Sequence, residues 1–290
     1  MLKRAFIFIG LCATSCLLIS CGVSKKGMED QNVNGVIKEE RLYIVDNDNN
    51  LTKDIFSNED VAKADIIEVT EIRAGINIKE MVAGTVVEDF LLEDISISEL
   101  FYAIPIDDNI KSRINGKSYG DDCDVPYEDL RYIRILHKNL KGNTQIGEMI
   151  VNQSIVDDVL GIFEELYEGD YPIERMILVD EYDADDDMSM EANNSSAFNF
   201  RFIDGTTKRS SHSDGLAIDL NPLYNPYVRT IDSKIVVLPE NGKSYADRGL
   251  DNPYYIRKDD LCYKVFTQRG FTWGGEWESS KDYQHFQKSK

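Results

Sequence analysis

Helix and strand patterns both occur along this 290-residue chain, so a mixed α and β fold is predicted, and three segments carry that prediction. Residues Asp129 to Leu136 set Ile133 and Ile135 in alternation with Tyr132, Arg134 and Leu136, which is the period of a strand. Ser154 to Tyr167 places Ile155, Val159, Ile162, Phe163 and Leu166 on one helical face, with Ser154 as the cap and Gly169 followed by Pro172 as the stop. Gly215 to Leu220 reads as another strand, with Leu216, Ile218 and Leu220 on one face and Gly215, Ala217 and Asp219 on the other.

At the start of the chain, Lys3 and Arg4 precede an apolar run from Ala5 to Ile19 that is too short for a comfortable membrane span, the plan of a secretory signal over residues 1–20. The run ends Leu18-Ile19-Ser20-Cys21, which resembles a bacterial lipobox. On that reading Cys21 is acylated, becomes the mature N-terminus and anchors the protein to the membrane outside the cytoplasm. The plainer alternative is an ordinary signal peptide with a chance cysteine. Residues 21–40 are rich in Gly, Lys, Asn and Glu without apolar periodicity and read as a linker. Residues 41–100 carry short β-branched runs at Asp65 to Val69, Gly84 to Val87 and Ile95 to Ile97, a small strand-rich region of no evident role.

The remaining stretch, 101–290, reads as the main domain. Thirty-two basic against fifty-two acidic residues give a net charge of −20, which repels nucleic acid and offers no basic stripe for phosphates. Met176 to Val179 reads as a strand and Asp180 to Glu191 as a solvated acidic loop. Asp183, Asp185, Asp187 and Ser189 imitate the start of a calcium loop, but Met188 and Asn194 stand where such a loop needs Gly and Glu. Asp260 caps a short helix through Gln268, Gly270 stops it, and a strand follows at Phe271 to Trp273. Cys123 and Cys262 could form one disulfide in an exported protein, and the sequence does not decide it.

Histidine is scarce here, with three in the chain. Of the three, His137 continues the strand after Leu136 and has no neighbouring ligand, so its expected role is structural. His212 and His285 fall in the two segments that also hold Asp219 and Asp282. Two imidazoles and one carboxylate, His212, Asp219 and His285, match the ligand count of a catalytic zinc site that keeps its fourth position free. Asp282, three residues before His285, is placed to act as general base and then acid while staying off the metal. Arg201 could hold a substrate carboxylate or a developing oxyanion, or it could be a surface arginine at a strand end.

Ser210-Ser211-His212-Ser213-Asp214-Gly215-Leu216-Ala217-Ile218-Asp219 resembles the Ser-x-His-x-x-Gly-x-Ala-x-Asp motif of a bacterial zinc metallopeptidase family. That family includes D-alanyl-D-alanine carboxypeptidases and L-alanyl-D-glutamate endopeptidases. Asp282-Tyr283-Gln284-His285 is similar to its second motif, and Trp273-Gly274-Gly275-Glu276-Trp277 is similar to the lead-in of the endopeptidase branch. The resemblance covers roughly residues 100 to 290. It implies one zinc ion at His212, Asp219 and His285, the base at Asp282, a polarising arginine at Arg201, and peptidoglycan stem peptides as substrates. It also implies an α+β fold of the hedgehog and DD-peptidase type, a small antiparallel sheet flanked by helices with zinc on its open face. A different class of reading is a non-catalytic, zinc-stabilised module that binds cell-wall peptides or a protein partner. Asp282 separates the two, because a binding module needs no base beside its metal.

Overall fold

The computed structural model describes residues 76–203 and 206–289, together with the backbone of three strands nearer the N-terminus. These strands, β1 (Ile7–Leu11), β2 (Glu40–Val45) and β3 (Leu51–Asp54), form an antiparallel sheet in that order. They belong to a unit that ends at Met81, and a second compact unit runs from Val82 to Lys290. The lipobox at Cys21, the rest of the expected signal and linker, and the run Asp65 to Val69 lie outside the described residues.

Three small antiparallel sheets and five helices build the second unit, an α+β arrangement. A short helix, α1 (Asp89–Leu92), precedes β4 (Tyr102–Pro105), and α2 (Asp108–Ile114) follows it. Asp107 starts α2 by accepting a hydrogen bond from the Ile110 N–H at 2.9 Å. The hairpin of β5 (Leu130–Lys138) and β6 (Thr144–Asn152) puts β5 at the centre of the first sheet, between β4 and β6. Ile110 and Ile114 of α2 share a core with Leu130 and Tyr132 of β5, Ile150 of β6, and Phe198.

Helix α3 (Val156–Glu168) buries Val159, Ile162, Phe163 and Leu166, the face that its spacing predicts. That face packs on β5 and on α5 (Leu261–Gln268). Phe163 meets Phe266 of α5 edge to face, with centroids 6.4 Å apart, and Phe266 stacks at 4.1 Å on Phe286 of β12 (His285–Gln287). Burial of rings this size stabilises by about 1.5–3 kcal/mol each, so this aromatic column fixes the strand that begins with His285.

Strand β7 (Ala217–Asp219) is one edge of the second sheet, with β12 in the middle and β10 (Thr272–Trp273) on the far side. The third sheet has β8 (Tyr227–Ile231) between β9 (Lys234–Leu238) and β11 (Ser280–Asp282). At the end of β6, Asn152 donates its N–H to the Gly215 carbonyl at 2.8 Å and its side-chain amide to the Asp214 carbonyl at 2.9 Å. The first sheet is thereby tied to the segment that carries His212.

Several expected elements take another form. The cap before α3 is Asn152, which accepts from the Ser154 N–H at 3.1 Å and opens a 3-10 turn over Gln153–Ile155, so Ser154 itself does not cap. Met176 to Leu178 is extended without being a strand, because the Asn194 side chain takes both the N–H and the carbonyl of Ile177, at 2.9 and 3.0 Å, and Val179 opens a 3-10 turn over Val179–Tyr182. Ile97 opens a 3-10 turn over Ile97–Leu100 instead of closing a strand, and Gly84 to Val87 makes one bridge, Val86 to Gln145. The acidic stretch is not a loop: Asp185 accepts from the Met188 N–H at 2.9 Å and starts α4 (Asp186–Glu191). Cys123 and Cys262 are free thiols.

Candidate metal centre

His212 sits on a 3-10 turn over Ser211–Asp214. Ser210 begins the turn by accepting from the His212 N–H at 3.3 Å, and Gly215 ends it at φ +67°. Glycine is required there on two counts, since a Cβ would also lie 2.7 Å from the Asn152 nitrogen. The chain then enters β7 and reaches Asp219, which pairs across the ladder with His285 of β12.

The three side chains converge. His285 Nδ1 lies 2.9 Å from Asp219 Oδ1, His212 Nε2 lies 3.2 Å from Asp219 Oδ2, and the two imidazole nitrogens are 3.2 Å apart. All three residues are buried, and one donor atom from each falls within 4.8 Å of the others. Among the described residues this is the one group of three such side chains close enough to share an ion.

The surrounding contacts orient each ring. His212 Nδ1–H donates to the Ala197 carbonyl at 2.6 Å, which leaves Nε2 as a lone pair facing the centre. His285 is oriented the other way round: Nε2–H donates to Gln287 Oε1 at 3.1 Å, and Nδ1 faces the centre. Ser211 Oγ donates to the same Gln287 oxygen at 3.0 Å. Trp277 closes over His285 with ring centroids 5.3 Å apart. Burial opposes ionisation of Asp219, but His212 and His285 outweigh it and hold its carboxyl well below the usual range. Burial likewise opposes protonation of His285, and Asp219 reverses that effect, raising the imidazole to about 9. Once an ion displaces the His285 Nδ1 proton, two inward imidazole nitrogens and an ionised carboxylate suit a divalent ion of the zinc type.

Asp282, the last residue of β11, is half-buried with Oδ1 enclosed and without a hydrogen-bond partner. Burial raises its carboxyl to about 7, against the field of His285 and with that of Asp219. Gly274 packs directly against it: a Cβ there would lie 2.6 Å from the Asp282 carbonyl oxygen and 2.7 Å from its Cβ. Gln284, between Asp282 and His285, is buried, with Oε1 unpartnered and its amide nitrogen 3.5 Å from Met190 Sδ.

Arg201 is held apart from the three ligands by its own partner. Its Nη2 donates to Asp186 Oδ2 of α4 at 2.6 Å, and its backbone N–H donates to Ser213 Oγ at 3.0 Å. Its Nε is buried and unpartnered. His137 lies away from the centre, with Nδ1 2.8 Å from the Ile173 carbonyl, and burial lowers it to about 4. Sequence reasoning missed the Ala197 carbonyl, Ser211, Gln287, Gln284 and Asp186. Gln287 had a signal, being two residues beyond His285 on one strand face; the Ala197 carbonyl had none.

With the geometry in place, the comparison with known families bears on it directly. Residues 204–288 match the family model described as D-alanyl-D-alanine carboxypeptidase. That stretch, under a third of the chain, contains all three converging side chains and Asp282, and Arg201 lies just before it. No curated protein and no solved structure matches the chain.

Proposed function

We propose that the chain is a zinc-dependent peptidase that hydrolyses an amide bond in the peptidoglycan stem peptide, of the D-alanyl-D-alanine carboxypeptidase or L-alanyl-D-glutamate endopeptidase type. The observation that carries this reading is the buried convergence of His212, Asp219 and His285 beside an enclosed carboxylate with an unfilled hydrogen bond, Asp282 Oδ1. The fold reading that accompanies it is the hedgehog and DD-peptidase type, supported by a three-stranded sheet with ligands on two neighbouring strands. A lipid on Cys21, outside the cytoplasmic membrane, would hold the enzyme against its substrate.

Zinc bound by these three residues would polarise the amide carbonyl and acidify a water. Asp282 Oδ1 takes the proton as that water attacks and returns it to the leaving amine nitrogen, so one carboxylate serves as base and then acid. Burial raises that carboxyl, the direction needed by a group that takes a proton and then gives it back. Arg201 would stabilise the developing oxyanion by exchanging its Asp186 partner for it.

Incubation of the zinc-loaded protein with purified peptidoglycan, followed by mass spectrometry of the new termini, tests the reading and names the bond. New termini that vanish with Asp282→Asn and with His212→Ala support it. A wild-type protein that binds zinc and releases nothing would leave the binding-module reading standing instead.

A further inference from the structure

We propose that Arg229 forms a subsite for the free carboxylate of the substrate residue next to the bond that is cut. This deepens the peptidase reading above and rests on it for the identity of the ligand. Asp282 of β11 lies directly opposite Tyr227 of β8, and Ser280 directly opposite Arg229. Side chains directly opposite in an antiparallel pair share a face, as do residues two apart on one strand. Asp282 and Arg229 therefore project from the same side of the sheet as diagonal neighbours, a separation of roughly 7–8 Å. On β9 the same face continues through Leu238 and Val236, opposite Tyr227 and Arg229. All six of these residues are half-buried.

Besides Asp282, whose Oδ1 is the proposed base, Arg229 is the member of that face with a buried and unsatisfied polar atom. Its Nε is buried without a hydrogen-bond partner, and its guanidinium makes no hydrogen bond or ion pair among the described residues. Its guanidinium lies over the Tyr227 ring, with 5.7 Å between guanidinium carbon and centroid. An unpaired guanidinium is unusual in a chain with fifty-two carboxylates and a net charge of −20. Arg201, by contrast, already has Asp186. A carboxylate ligand would otherwise be repelled by so acidic a protein, and a planar fork with enclosed N–H groups is the group that recognises it. The diagonal spacing places that carboxylate about one peptide residue from the amide on which Asp282 acts.

The test uses two peptide pairs: an acetylated tripeptide ending in D-Ala-D-Ala with its C-terminal amide, and an L-Ala-γ-D-Glu peptide with its α-carboxamide counterpart. Their affinities for zinc-loaded Asp282→Asn protein, which leaves the ligand intact, are measured by calorimetry, with and without Arg229→Met or Arg229→Lys. The acid of at least one pair is expected to bind about ten- to a hundredfold more tightly than its amide, from one charge-assisted contact. Arg229→Met should reduce that preference to under about twofold, and Arg229→Lys should keep part of it, with zinc content and melting temperature unchanged. Equal binding of acid and amide in both pairs, or a preference that survives Arg229→Met, overturns the inference. Cleavage is scored separately on the wild-type protein. An acid preference without cleavage removes the peptidase reading and keeps the subsite, whereas cleavage without acid preference does the reverse.

Discussion

Asp219 and His285 are register partners across β7 and β12, and their side chains meet at 2.9 Å. The ladder that holds two strands together thus also sets the distance between two metal ligands, and a one-residue slip would turn one of them to the opposite face. His212 is brought to the same point by a separate device, the 3-10 turn ended by Gly215. Replacing His212, Asp219 or His285 singly by Ala should abolish stoichiometric zinc, measured by elemental analysis after dialysis, while the wild type retains one ion per chain.

Gln287 and Ser211 hold the outer nitrogen of His285, at 3.1 and 3.3 Å. Gln287→Leu should weaken zinc binding about ten- to a hundredfold in a chelator competition, as is usual when the group orienting a ligand imidazole is lost. Ser211→Ala should weaken it less, because its main contact is with Gln287. An unchanged affinity for Gln287→Leu would place the orienting role elsewhere.

Asp282→Asn should keep zinc and the folded state and lose hydrolysis by about a hundred- to ten-thousandfold, the range of a general base. Restored folding stability with unaltered turnover would show that the buried carboxylate is merely a cost to the fold.

In the metal-free protein, His285 binds its proton more tightly when folded, at about 9, than when unfolded, at 6.5. Its contribution is complete below pH 6.5 and is lost as the pH rises through 9. Asp282, raised from 3.8 to about 7, acts in the same sense at lower pH, whereas Asp219, held below 3.8, stabilises above that value and loses its contribution on acidification. The melting temperature of the metal-free protein should therefore fall between pH 6.5 and 9. His285→Gln should flatten that decline, and calorimetry across the range checks both.

Gly274→Ala should damage catalysis and stability together. Its new Cβ would press on the Asp282 carbonyl and Cβ and approach His285 Cβ at 3.3 Å, so relief requires that the base or the ligand move. A loss of turnover at least tenfold together with a lowered melting temperature is the expected pattern, since the clash is with backbone and misplacement by about 1 Å alone can cost a hundredfold.

Much of the centre was legible because its parts are local. Asp219 comes from strand periodicity, His212 from the turn that Gly215 demands, and Asp282 and His285 from three-residue spacing within one segment. Contacts made across the chain left no such trace. Asn194 replaces a strand neighbour for Ile177, and nothing in the run Met176 to Val179 reveals that its hydrogen bonds go to a side chain seventeen residues away. The helix over Asp186–Glu191 was hidden because its acidic residues suit a solvated loop equally well, and the deciding fact is that Asp185 caps it. Arg201 and Arg229 look alike in sequence, and only the presence of Asp186 beside one of them distinguishes a neutralised cation from an unpaired one.

The chain has two tryptophans, and both are at this centre: Trp277 over His285, and Trp273 against Phe286 with its indole N–H on the Tyr283 carbonyl. Its ultraviolet emission is therefore a local signal rather than an average over the fold. Metal loading, ligand occupancy and displacement of the segment from Asp282 to His285 all register in the same two fluorophores, so the centre can be followed in real time on unlabelled protein.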